Sequence, residues 1–122
     1  MDRRDESIIL KDLFHEGATF FNQYKYHNAH IKWEQIWKNG SELERSEIKG
    51  FIQLTGAILN TKSTKISSGK YLFKKSLSNI SSSLVIPEWI EIDSLLASIL
   101  DCTSHLEEKP YELLPGIKII FR

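Results

Sequence analysis

Apolar residues recur along this chain at helical intervals, broken by short polar turns. After a charged start, Ile8, Ile9, Leu13, Phe14, Phe20 and Phe21 fall at a mostly helical spacing, and Ser7 stands where an N-cap belongs. This predicts a first helix over 7–23. A second, over 26–38, carries Tyr26, Trp33 and Trp37 on one face. Asn39-Gly40-Ser41 reads as a stop and turn, and Ser41 to Glu44 as a short linker. A third helix then starts at Leu43 or Glu44 and runs to Thr61. Its apolar residues (Ile48, Phe51, Ile52, Leu54, Ala57, Ile58, Leu59) leave a narrow polar stripe of Lys49, Gln53 and Asn60, the pattern of a central helix. Gly50 and Gly56 would each cost that helix about 1 kcal/mol relative to alanine. Close approach of a neighbouring helix is the expected reason for them.

A fourth helix over 64–81 puts Ile66, Gly69, Leu72, Phe73, Leu77 and Ile80 on one face, with Lys70, Lys74 and Lys75 opposite. Ser81-Ser82-Ser83 and then Pro87 interrupt the pattern. A fifth helix over 92–104 carries Leu95, Leu96, Ile99 and Leu100. The tail, 105–122, holds Pro110, Pro115 and Gly116, then the apolar run Ile117 to Phe121. That run is expected as a small strand or as an extended segment laid on the bundle. No internal repeat is read, and strand signals are too few for a sheet. The expectation is one all-α domain over 1–122, a bundle of about five helices with a short extended C-terminal tail.

Composition narrows the function. At 122 residues, one domain with a real core is expected. Sixteen Lys+Arg against sixteen Asp+Glu give a formal net charge of zero, which argues against a dedicated nucleic-acid or membrane-surface protein. The single cysteine, Cys102, excludes an intrachain disulfide and a cysteine-built zinc site. No apolar run is long enough to cross a membrane, and the start lacks the order of a signal peptide, so the cytoplasm is the expected compartment. Charge is nonetheless split along the chain. Ile48 to Pro87 holds six lysines and no acid, whereas Glu88 to Arg122 holds seven acids and three basic residues.

The second helix reads Tyr26-His27-Asn28-Ala29-His30-Ile31-Lys32-Trp33-Glu34-Gln35-Ile36-Trp37, and the third carries Gly50-Phe51-Ile52-Gln53-Leu54. Together they resemble a family of small all-helical proteins, domain-of-unknown-function family 309 (DUF309). Its hallmark is an aromatic, then Glu-Ala-His-Glu, then Glu and Trp at successive steps of three, followed by a Gln-Gly-(Leu/Phe)-Ile-Gln core helix. Ala29, His30, Glu34, Trp37, Gly50, Ile52 and Gln53 match it, and the resemblance spans about 10–100. Asn28 and Ile31 stand where the family has glutamates, His27 where it has an aromatic, and Asn60 where a histidine is frequent. The resemblance implies the all-helical fold and points at a polar cluster, and it carries no activity.

His30 and Glu34 are an i, i+4 pair, with His27 on the same face within an arc of about 60°. The plainest expectation is that Glu34 satisfies a partly buried His30. A ligand or substrate site is the alternative, since a carboxylate beside an imidazole fixes its tautomer and raises its basicity. His27, His30 and Glu34 are the candidate metal ligands, but no fourth ligand completes a structural zinc set. Gln53 is expected to reach His30 or Glu34 across the interface between the second and third helices, with Asn60 and Lys49 flanking it. Cys102 is read as a small buried hydrophobe, and Trp89 as packing. The expected role is therefore a small binding or scaffold module using His30, Glu34, Trp37, Gln53 and Asn60. No metal or other cofactor is expected. The partner is a second copy, an unidentified protein or a small molecule, but not nucleic acid or a membrane. The alternative is an enzyme or metal-binding protein using His30 and Glu34.

Overall fold

A computed structural model describes residues 3–122. Its helices are α1 (Arg3–Asn22), α2 (Tyr26–Asn39), α3 (Glu42–Lys62), α4 (Ile66–Ser81) and α5 (Ile92–Glu108), with one 3-10 turn at Ile86–Glu88. The molecule is a small all-α bundle. Each helix packs on the next, and α3 meets α1, α2 and α4, which places it at the centre. None of the described helices is long and apolar enough to cross a membrane.

Several boundaries differ from the periodicity, among them the start of α4, which begins at Ile66 after the left-handed Thr64. Helix α1 begins at Arg3 and passes straight through Ser7, because charged residues sustain a helix without an apolar stripe. The stretch Ser41–Glu44 is no linker. It is a reciprocal cap in which Glu44 N–H donates to Ser41 Oγ (3.2 Å) and Ser41 N–H donates to Glu44 Oε1 (2.9 Å), so α3 starts at Glu42. Helix α5 continues past Ser104 to Glu108, because Leu106 still reaches the core one turn beyond Cys102.

The turns α1–α2 and α3–α4 are the same device. Lys25 N–H donates to Phe20 O (2.9 Å) and Tyr24 N–H to Phe21 O (3.0 Å); Lys65 N–H donates to Asn60 O (2.9 Å) and Thr64 N–H to Thr61 O (3.0 Å). Both are helix C-terminal closures with a left-handed residue, Tyr24 (φ 64°) and Thr64 (φ 63°), where glycine is usual. The recurrence is invisible in the sequence because only the lysine after each turn is shared.

The core centres on Phe14 of α1, Trp33 of α2 and Phe51 of α3. Phe14 and Trp33 stack with centroids 5.8 Å apart, and Phe51 sits edge-on to both at 5.0 and 5.5 Å. The Trp33 indole N–H donates to Phe14 O (3.2 Å). Gly17 is required here, since a Cβ would overlap the Trp33 ring. Gly50 has the expected role: a Cβ would come within 2.7 Å of Ile80 Cγ1 and 2.9 Å of the Ile80 backbone nitrogen of α4. Gly56 does not, because its Cβ would meet Leu72 Cδ1 at an ordinary 3.4 Å. Trp89 packs at the edge of this core, its ring 6.0 Å from that of Phe14.

The tail is an extended segment with one antiparallel bridge, Ile90 to Phe121. It docks on its own chain. Ile117 and Ile119 are buried, the Asn22 amide donates to Ile119 O and accepts from Ile119 N–H (both 2.8 Å), and Arg122 N–H donates to Trp89 O (2.9 Å). The tail therefore gives no reason by itself for a second copy. The split charge also finds a use within the chain, where Lys70 of α4 lies 3.8 Å from Glu107 of α5.

Candidate functional site

Helix α2 turns Ala29 and Trp33 into the core, which places His30 and Glu34 along the seam with α3. The two rings of contact around His30 are short. Its Nδ1 lies 2.7 Å from Thr55 Oγ1 of α3, and its Nε2 lies 2.5 Å from Glu34 Oε1. Thr55 is fully buried, and its hydroxyl is also placed to donate to Ile52 O (2.7 Å). With an Nε2–H on Glu34, a neutral ring accepts the Thr55 hydrogen at Nδ1; a doubly protonated ring donates there and leaves that hydrogen on Ile52. Either way both ring nitrogens are occupied.

Glu34 is only partly engaged. One oxygen holds His30, and the other is 3.8 Å from Lys38 Nζ. Its side chain keeps 37% of its exposure and forms a wall of a cleft of about 360 Å3 with Trp37, Lys49, Ile52 and Gln53. Trp37 does not share the buried face with Tyr26 and Trp33. It is 39% exposed, with the Arg45 guanidinium 5.9 Å from its ring and Arg45 Nε–H donating to Trp37 O (2.9 Å). This late turn of α2 lies where the chain is already entering α3, so Arg45 takes the place of a core neighbour.

Gln53 lines the same cleft, but its amide oxygen accepts from Asn79 Nδ2 of α4 (2.6 Å) rather than from His30. Asn60 lies away from the cleft and donates to Gly56 O on its own helix (2.7 Å). His27 is exposed. Among the described residues, no three His, Cys, Asp or Glu side chains gather as a metal site, so His27, His30 and Glu34 do not form one.

Two polar residues of the same helix were not singled out by the sequence. Thr55 is the α3 partner of His30. Glu47, only 2% exposed, accepts three backbone N–H bonds: from Leu84 at Oε2 (2.9 Å), and from Val85 (2.8 Å) and Ile86 (2.9 Å) at Oε1. It pins the segment between α4 and α5. The available signal was its position in line with Phe51, Leu54 and Ile58, a charge on a core face.

Two remaining groups are set by burial. The Cys102 thiol is pushed up to about 12, first by burial and then by Asp101, so it is a neutral thiol with its sulfur 3.6 Å from Pro115 O. His15, packed edge-on to Phe121 at 4.6 Å, is held below the ordinary histidine value, first by burial and then by Lys11, with Asp12 opposing.

Fold and cleft together define a small helical-bundle protein with a polar interhelical site. In comparison with known families, the one described as Domain of unknown function (DUF309) matches residues 14–70. That span runs from Phe14 through the first turn of α4 and holds the cleft, so the chain is DUF309-like there. No curated protein matches the chain.

Proposed function

We propose that this chain is a small cytoplasmic binding or scaffold module whose working surface is the cleft between α2 and α3. One observation carries the reading. Glu34 and Trp37 stand open beside Lys49 and Gln53, so both signs of charge, an amide and an indole line one recess. Such a mixture suits a small zwitterionic or amide-bearing group, or the side chains of a protein partner. Trp37 supplies the large contact area typical of residues that dominate binding energy. The enzyme or metal reading through His30 and Glu34 has less support, because both imidazole nitrogens already have partners within 2.7 Å. Self-association belongs to the proposal through exposed Lys74 and Lys75 on α4 and exposed Asp101 and Glu108 on α5.

The test is a nuclear magnetic resonance screen of free amino acids, amides and short peptides against the full chain. Ligands that shift the Trp37 indole, the Gln53 amide and the backbone around Glu34, and lose affinity in Trp37→Ala, are expected. Ligands that bind without touching these signals, or with equal affinity after that substitution, would overturn it. Light scattering across a hundredfold concentration range tests the second copy, and a constant monomer mass would remove it.

A further inference from the structure

On another face, the two hairpin turns and the loop after α5 enclose a groove of about 600 Å3. Tyr24, Tyr26, Ile58, Lys62, Cys102 and Leu114 are among the residues that line it. That size falls within the range of small-molecule sites, roughly 300–1,000 Å3. We propose that this groove binds a small monocarboxylate with an apolar body.

Tyr26 is the central observation. It is only 7% exposed, yet its hydroxyl has no hydrogen-bond partner among the described residues. The hydroxyl is not sealed from solvent, and Tyr26 lines the groove. Buried tyrosine hydroxyls normally find a partner, and an acceptor supplied by a ligand completes this one. The charge lies beside it: Lys62 Nζ is 4.9 Å from the Tyr26 ring centroid, so an ammonium stands over the phenol ring. A single anion accepts from the ammonium and from the hydroxyl.

The sign and number of charges follow from the rim. Glu112 also lines the groove, 4.0 Å from Lys109, and among the described residues Lys62 is the one cation on the lining. A dianion such as phosphate would meet Glu112, whereas one carboxylate matches one ammonium. Apart from Thr61 and Thr64, most of the remaining lining is apolar. Ile58 and Leu114 form the walls, and the floor holds a Cys102 thiol that burial keeps neutral. At the mouth Tyr111 and Leu113 stand almost fully exposed, and an apolar body would cover them.

Octanoate is the probe, with octylammonium as the control of equal length and opposite charge, each titrated into the full chain and followed by nuclear magnetic resonance. Saturable octanoate binding is expected, with shifts confined to residues 24–26, 61–66, 102 and 110–117. Octylammonium should bind at least about tenfold more weakly. Lys62→Met should weaken octanoate by about tenfold or more, and Tyr26→Phe by about threefold to tenfold. Both variants leave the backbone of the groove intact, and an unchanged amide spectrum checks this. Absence of saturable binding, shifts centred on the α2–α3 cleft, equal binding of octylammonium, or indifference to Lys62→Met in a folded variant would each overturn the proposal.

Discussion

Glu47 and Glu34 lie on neighbouring helices of one small bundle and do opposite work. Glu47 is sealed from water and accepts three backbone N–H groups from a segment 37 to 39 residues away. It fixes where the chain between α4 and α5 passes. Glu34 holds one histidine on its own helix and keeps more than a third of its side-chain surface. The difference lies in the partners. A carboxylate surrounded by backbone donors is part of the fold, whereas one that shares a single side chain and faces a cleft is available to something else.

The largest effect should follow from removing the buried member. Glu47→Ala leaves three buried or half-buried N–H groups without acceptors, and a loss of about 3 kcal/mol or more is expected in urea unfolding. Glu47→Gln should recover only part of this, since its NH2 would face donors. A small loss for Glu47→Ala would mean that water replaces the carboxylate, and the contrast would fail.

The tail offers an intermediate case. Asn22→Ala removes the two side-chain bonds to Ile119, and a loss of about 1–3 kcal/mol is expected, with faster amide exchange at Ile119. Thr55→Val should cost about 1 kcal/mol, because it deletes the α3 partner of His30 while keeping the volume. It should also loosen the His30 ring, seen as broadened imidazole resonances.

Acidification must be assigned before it is credited to the cleft. His15 has its folded value lowered, so the native state binds fewer protons than the unfolded chain. Its contribution is complete above the ordinary value of 6.5 and is lost as pH falls through that value toward the lowered one. A modest decline in stability below about pH 6.5 is expected. His15→Phe should flatten it, and an undiminished decline in that variant would place its source elsewhere.

The helices were legible because burial imposes a period on apolar residues, and Phe14, Trp33, Phe51 and Ile80 all lie where that period puts them. Boundaries were legible only where chemistry marked them. The serine and glutamate of the α3 cap are such a mark, yet they read as a linker because polar residues between apolar runs look alike. Trp37 shares the angular position of Tyr26 and Trp33, and angle alone cannot say that its neighbour at that height is the Arg45 guanidinium of α3 rather than a core side chain. Glu47 was hidden for a different reason. Its partners are backbone N–H groups far along the chain, and every residue but proline has one. The His30–Glu34 contact was legible because i, i+4 spacing fixes it locally; Thr55 and Asn79 were not, because they enter through packing.

The central claim is that the Glu34 carboxylate is not needed to hold the bundle together and so is free to act at the cleft. Urea unfolding of Glu34→Ala beside the wild-type chain and Glu47→Ala tests it most directly. The expected loss for Glu34→Ala is below about 1 kcal/mol, the scale of an exposed ion pair. A loss as large as that of Glu47→Ala would show that the pair is structural and would contradict the account.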